Sequence, residues 1–237
     1  MAHDLTRRAT LGLAAVAAST ASAKVKRHVL FIGNSFTAEH DVPALFKELA
    51  GQFGYALTVD AVLSNGAFLA DQIADDALAK VSDADPDILI LQDHSTAGLT
   101  EANRKKSVEA LLRFKDFRAR KIIFEPWPRQ DGHALLREPG MPGSSREMVE
   151  WTERHYQQIA PSIQADIARI GRAWMLADGI DLYRGDRYHA NLAGAWFAAL
   201  ILVRTAGLTS SAPPFVPDGL PTLTAKRLYQ IARMVAP

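Results

Sequence analysis

The sequence predicts an α/β fold: a three-layer α/β/α sandwich around a parallel sheet of about five strands. Short runs that are apolar throughout recur along the chain, at Arg27–Ile32 (RHVLFI), Leu57–Leu63, Ile88–Leu91 (ILIL) and Lys121–Phe124 (KIIF). Stretches with helical spacing separate them. A strand that is apolar at every position is buried on both faces. Parallel neighbours also need a crossover, which the intervening helices supply. No repeat, low-complexity tract or linker divides the 237 residues, a length that suits one domain.

The elements follow in order. The first run ends at Gly33. Asp41-Val42-Pro43 opens a helix through about Phe53, with Asp41 able to cap it and Pro43 tolerated in its first turn. Leu57–Leu63 is the next strand, and Phe68 to about Val81 has helical spacing. Asp85-Pro86-Asp87 breaks the chain before the ILIL strand. A charged amphipathic helix runs from about Thr100 to Arg118. Pro126 and Pro128 stop the KIIF strand, and a fifth strand is expected at Ala173–Leu176 (AWML). Arg129–Ser145, rich in Gly, Pro and charge, is expected to cross the end of the sheet where sites form. Ala212–Pro221 is irregular and precedes a last helix, Ala225–Met234.

Composition narrows the function classes. The chain is 48% hydrophobic and 22% charged, as globular proteins are. Its 27 basic and 26 acidic residues leave a net charge of +1. No field draws it to nucleic acid or anionic lipid, so neither is an expected partner. The absence of cysteine excludes disulfides, thiolate metal sites and a cysteine nucleophile.

The N-terminus reads as a secretory signal over residues 1–23. Arg7 and Arg8 precede a mild apolar run, Leu11–Ala18, and Ala21-Ser22-Ala23 offers small residues for cleavage. The Thr6–Leu11 segment is similar to a twin-arginine signal, with Thr10 departing from the usual apolar residue. The apolar run is far shorter than the ~20 residues a bilayer span needs, so stable membrane insertion is not expected. The mature domain is then residues 24–237, outside the cytoplasm.

Three features fall where this fold places a site. Gly33-Asn34-Ser35 stands at the end of the first strand. A hydroxyl nucleophile needs a tight turn and nearby backbone amides for an oxyanion. By itself such a Ser is more often a turn or cap residue. Asp186-Arg187-Tyr188-His189 precedes a helix near the C-terminal end. Asp and His three apart share one face of a helical turn, where a carboxylate can fix the imidazole tautomer. Its other readings are a salt-bridging turn or half a metal site, and no partner cluster at ligand spacing supports the latter. Ser64-Asn65-Gly66-Ala67 follows the second strand. Its Gly66 amide can donate to an oxyanion, although a plain turn has the same sequence.

Together these residues resemble the SGNH, or GDSL-like, hydrolases, in block order from Phe31 to about Leu200. The resemblance implies a flavodoxin-like sheet, no metal or cofactor, and Ser35 as nucleophile. Asn34 replaces the family's Asp. Gly66 maps to the second block's oxyanion glycine, and Asp186 and His189 map to the last block. Asp186-x-x-His189-x-Asn191-x-x-Gly194 also leads into an Ala-rich helix, as in many members.

The third block departs. Where the family has Gly-x-Asn-Asp, this chain has Leu91-Gln92-Asp93-His94-Ser95. Gln92 carries the same amide on a longer arm and is the first candidate for the third oxyanion donor, with His94 and Ser95 as alternatives. The implied reaction is hydrolysis of a small acyl ester, with O-acetylated carbohydrate as one such substrate. His189 would take the Ser35 proton, Asp186 would hold His189, and the Ser35 and Gly66 amides with Gln92 would bind the oxyanion. A non-catalytic ligand- or carbohydrate-binding module on the same fold is the alternative; Asn34 and the altered third block motivate it.

Other residues are read more plainly. Asn34, His94, Ser95 and Trp127 are candidate substrate contacts. Trp127 and Arg129 lie in Glu125-Pro126-Trp127-Pro128-Arg129, where Trp127 could wall a pocket and Arg129 could meet an anion. The competing reading is a Pro-fixed loop with the Trp packed on its edge. His133 and His155 read as surface residues, and Trp151, Tyr156 and Ile159 as packing at helical spacing. Arg104-Lys105-Lys106 reads as a solvated helix face.

Overall fold

The computed structural model describes residues 26–235, so the expected leader over residues 1–23 lies outside the described residues. Five strands form one wholly parallel sheet: β1 (Arg27–Gly33), β2 (Leu57–Leu63), β3 (Ile88–Leu91), β4 (Arg120–Phe124) and β5 (Ala165–Ala168). Their spatial order is β2-β1-β3-β4-β5. The helices are α1 (Ser35–Ala38), α2 (Val42–Gln52), α3 (Leu69–Ala74), α4 (Ala77–Ala84), α5 (Glu101–Leu112), α6 (Ser145–Ile159), α7 (Ile170–Leu176), α8 (Leu192–Thr205) and α9 (Thr222–Val235).

Side-chain alternation explains why β3 is apolar throughout and β1 and β4 are apolar beyond their first two residues. Val29, Phe31, Ile88, Ile90, Ile122 and Phe124 pack against α2, α7, α8 and α9. Leu30, Ile32, Leu89, Leu91 and Ile123 pack on the other face against α4, α5 and α6. The result is the three-layer sandwich. Ala193 to Val203 of α8 are buried without a break, because that helix is covered by α2, α9 and the sheet. Asp41 caps α2 as its sequence suggests, with Oδ1 accepting from the Ala44 amide at 3.1 Å.

Three expectations need correction. Ala173–Leu176 is not a strand but the last turns of α7. The fifth strand is Ala165–Ala168, an edge strand with one neighbour and half-open positions, which has little need of an apolar run. The helical stretch over 68–81 is two helices, because Asp76 adopts φ +73° between α3 and α4. The charged helix ends at Leu112 rather than Arg118, and turns lead from there into β4.

Candidate active site

β1 lies inside the sheet, paired on one side with β2 and on the other with β3. Chain order reverses there, and the crevice beyond the strand ends is where open parallel sheets hold their sites. Ser35 follows β1 at that edge, the Gln92–Ser95 segment follows β3, and Gly66 follows β2.

The loop from Gly33 to Thr37 is over-determined. Asn34 caps α1: its Oδ1 accepts from the Phe36 amide at 3.1 Å, and its Nδ2 donates to the Ala67 carbonyl at 3.0 Å. The second bond ties this loop to the Gly66 turn. Gln92 Oε1 accepts from the Asn34 amide at 2.8 Å and from the Thr37 hydroxyl at 3.0 Å. A Cβ on Gly33 would come within 2.9 Å of Gln92 Oε1 and closer still to Thr37, so only glycine fits there. Ser35 itself is half-buried. Among the described residues, neither its amide nor that of Gly66 has a hydrogen-bond acceptor; Gly66 is exposed with φ +72°.

Ser35 and His189 stand 154 residues apart in sequence, yet Ser35 Oγ lies 3.0 Å from His189 Nε2. His189 Nδ1 lies 2.8 Å from Asp186 Oδ2. Asp186 Oδ1 accepts from the Tyr188 and His189 amides at 3.0 and 2.9 Å. These three residues therefore form one hydrogen-bonded line. The segment is an Asx-type turn with Arg187 at φ +64°, rather than the helical turn expected. Burial raises the Asp186 pKa, but the two amides and the His189 ring outweigh it and bring the carboxyl down to about 2.

Several contacts fix this turn against the Gly33–Thr37 loop. Asn191 caps α8, accepting from the Gly194 amide at 3.0 Å, while its Nδ2 donates to the Asp181 and Tyr183 carbonyls. Arg184 pairs with Glu39 at 2.7 Å. Phe36, Trp127 and Trp174 form a parallel aromatic stack, with centroid spacings of 4.3 and 4.7 Å. Trp127 Nε1 donates to the Tyr188 carbonyl at 2.9 Å.

Trp127 is fully buried, so it supports the turn from beneath and cannot wall a pocket. Gln92 is also fully buried, with its Nε2 donating to the Asp93 carbonyl. Its amide clamps the Gly33–Thr37 loop, with Oε1 committed to the Asn34 amide and the Thr37 hydroxyl and Nε2 to the Asp93 carbonyl. Ser95 is buried at 3% exposure. His94 is the half-open member of that segment. Its Nδ1 accepts from the Thr96 amide at 3.3 Å and faces the Thr96 hydroxyl at 2.8 Å, which leaves the proton on Nε2. Burial, Arg129 and Lys106 lower its pKa. Its ring stacks on Phe68 at 4.4 Å.

His155 is buried rather than on the surface, with Nε2 3.0 Å from Ser107 Oγ; burial and Arg104 press its pKa to about 4. The basic run on α5 is half-tethered: Arg104 donates to the Gly98 and Leu99 carbonyls, and Lys106 pairs with Asp71 at 2.7 Å. The Arg129 guanidinium is a residue whose burial the sequence did not reveal. Among the described residues, no group of three or more His, Asp or Glu side chains could hold a metal ion.

The fold is that of a three-layer α/β/α protein, and the line joins a serine, a histidine and an aspartate at the strand ends of its sheet. No protein-family model matches the chain, and no curated protein matches it in sequence. Solved structures do. A Slackia heliotrinireducens protein assigned as an SGNH hydrolase is 25% identical, with TM-score 0.63, covering 77% of this chain and all of that one. A DUF4886 family protein from Bacteroides uniformis is 17% identical with TM-score 0.73, covering 88% and 94% of the two chains. An acetylxylan esterase from Geobacillus stearothermophilus is 16% identical with TM-score 0.57, covering 78% and 97%. In fold and in block order the chain resembles these SGNH-like proteins.

Proposed function

We propose that the protein is an exported serine ester hydrolase acting on small acyl esters, O-acetylated carbohydrate among them. The observation that carries this reading is the unbroken Asp186–His189–Ser35 line beside two unpaired amides. Ser35 Oγ attacks the acyl carbonyl while its proton passes to His189 Nε2. Asp186 holds the ring so that Nδ1 keeps its proton and the imidazolium is stabilised. The tetrahedral oxyanion lies against the Ser35 and Gly66 amides. Collapse expels the alcohol, which takes the proton from His189. Water then enters with His189 as base, and the carboxylic acid leaves.

His94 takes the third donor's part in place of Gln92. Its Nε2–H is a donor without an acceptor among the described residues, in the segment that follows β3, and burial, Arg129 and Lys106 lower the pKa of the ring. A donor of this kind typically contributes on the order of 100-fold in rate. His94→Ala is expected to lose kcat by about that factor and leave KM nearly unchanged. An unchanged kcat would remove His94 from the oxyanion site.

The acetylxylan esterase of Geobacillus stearothermophilus supports acetylated carbohydrate as a substrate class by likeness of fold. Export rests on the charged, apolar and small-residue pattern of residues 1–23. Among the described residues no helix is long and apolar enough to cross a membrane. A secreted chain that begins near Lys24 by N-terminal sequencing is expected, and one that still begins at Met1 would refute processing.

The deciding experiment is fluorophosphonate labelling alongside hydrolysis of a short-chain aryl ester. Ser35→Ala and His189→Ala should each abolish both, with rates down by roughly 1,000-fold or more. Activity that survives both substitutions would overturn the reading. A wild type that neither labels nor hydrolyses would leave the binding-module alternative.

A further inference from the structure

Arg129 follows β4 and carries a guanidinium that is nearly enclosed by protein; the residue is 7% exposed. Its Nε and Nη1 are buried and have no hydrogen-bond acceptor, and no carboxylate of the described residues pairs with it. A buried cation left unpaired is costly in a protein interior. Stacking recovers part of that. Cζ lies 3.9 Å from the Tyr188 ring centroid and 5.6 Å from that of Phe36. A desolvated cation–π contact offsets part of the charge's burial but leaves the hydrogen-bonding capacity of Nε and Nη1 unused.

The same two rings flank the reacting groups. Tyr188 packs on the His189 ring at 3.7 Å, Phe36 lies 5.9 Å from it, and Phe36 is the residue next to Ser35. Arg129's charge reaches Asp186, and it lowers the pKa values of His94 and His133. The fork is thus surrounded by the nucleophile loop, the Asp186–His189 turn and the segment after β3. Asp186 does not pair with it, because its two oxygens already serve the Tyr188 and His189 amides and the His189 ring. The Arg129 backbone is fixed as well: its carbonyl accepts from Ser145 Oγ at 2.6 Å, and its amide meets Met148 Sδ at 3.3 Å.

We propose that Arg129 is the anion-recognising residue of this site, and that the preferred substrates are esters bearing a carboxylate. This rests on the ester-hydrolase reading above. A carboxylate matches the fork in shape and supplies the one countercharge a single guanidinium needs. The carboxylate can sit on the acyl portion or on the alcohol portion, and the test separates the two.

The test compares kcat/KM by pH-stat for two matched pairs: monoethyl succinate against ethyl butyrate, and 4-acetoxybenzoate against phenyl acetate. The anion is on the acyl side in the first pair and on the alcohol side in the second. In at least one pair, replacing Arg129 by Met (R129M) should lower the anionic-to-neutral ratio by about tenfold or more, through KM. R129K should keep part of the ratio, since it retains the charge without the fork. A wild type with no preference within either pair overturns the proposal. Equal losses on both members of each pair, with R129K behaving as R129M, also overturn it. If wild type hydrolyses none of the four, the ester-hydrolase reading fails instead. Calorimetric titration of Ser35→Ala protein with the two anionic esters then decides: binding that disappears in the Ser35→Ala/R129M protein upholds the subsite, and no binding overturns it.

Discussion

Asp186 does more than meet the imidazole. Its Oδ1 is held by two amides of its own turn, so the carboxylate and the His189 ring behave as one rigid unit. An amide in its place keeps the shape but removes the full negative charge that stabilises the imidazolium and can invert the tautomer. Asp186→Asn is expected to lower kcat on a short-chain aryl ester by on the order of 100-fold or more, with KM nearly unchanged, as steady-state kinetics will read. A loss confined to KM would instead give Asp186 a role in binding. That Ser35, Asp186 and His189 come together was legible in the sequence, because Ser35 follows the first strand and Asp186-x-x-His189 is a short pattern just before a helix. Gln92, Trp127 and Arg129 were not. Their type and position were visible, but whether a side chain turns inward depends on loops distant in sequence.

At the scale of the element, the nucleophile loop is held in place by the segment following β3. Gln92→Leu keeps the bulk but leaves the Asn34 amide and the Thr37 hydroxyl without their acceptor in a buried place. Two such orphaned donors should cost roughly 2–4 kcal/mol, measurable by urea denaturation. Activity should fall along with stability as the loop loosens. A variant of wild-type stability with only kcat reduced would return Gln92 to the oxyanion site. The same scale shows why four strands could be read and the fifth could not. β1, β3 and β4 each carry residues buried on both faces, which forces the apolar pattern, and β2 kept enough of it to be seen. β5 is an edge strand with the short sequence ADIA, whereas AWML is apolar because α7 packs Trp174 on Trp127.

For the whole molecule, one buried acid couples stability to pH. Glu125 is 1% exposed just after β4, and its carboxyl faces the Gly171 and Arg172 backbone amides with no side-chain hydrogen-bond partner among the described residues. Burial, with Glu153 nearby, raises its pKa from 4.5 to about 8. The folded protein therefore keeps a proton that the unfolded chain releases. Stability is full below pH 4.5 and declines as pH rises towards 8, by up to about 1.4 kcal/mol per pH unit from this group alone. Glu125→Gln should flatten that decline, so the Tm gap between variant and wild type widens from pH 5 to pH 8. A gap independent of pH would show that Glu125 is not the source.

The long sequence separation between Ser35 and His189 also has a kinetic consequence. Closing a loop of that length is entropically expensive, and contacts so distant form late in folding. Each half of the site is locally prepared, by the Asn34 cap on one side and the Asx turn on the other, but neither half holds the other until β1, α7 and α8 are packed. The contact between Ser35 and His189 is therefore expected to form late in refolding, after the sheet that carries both.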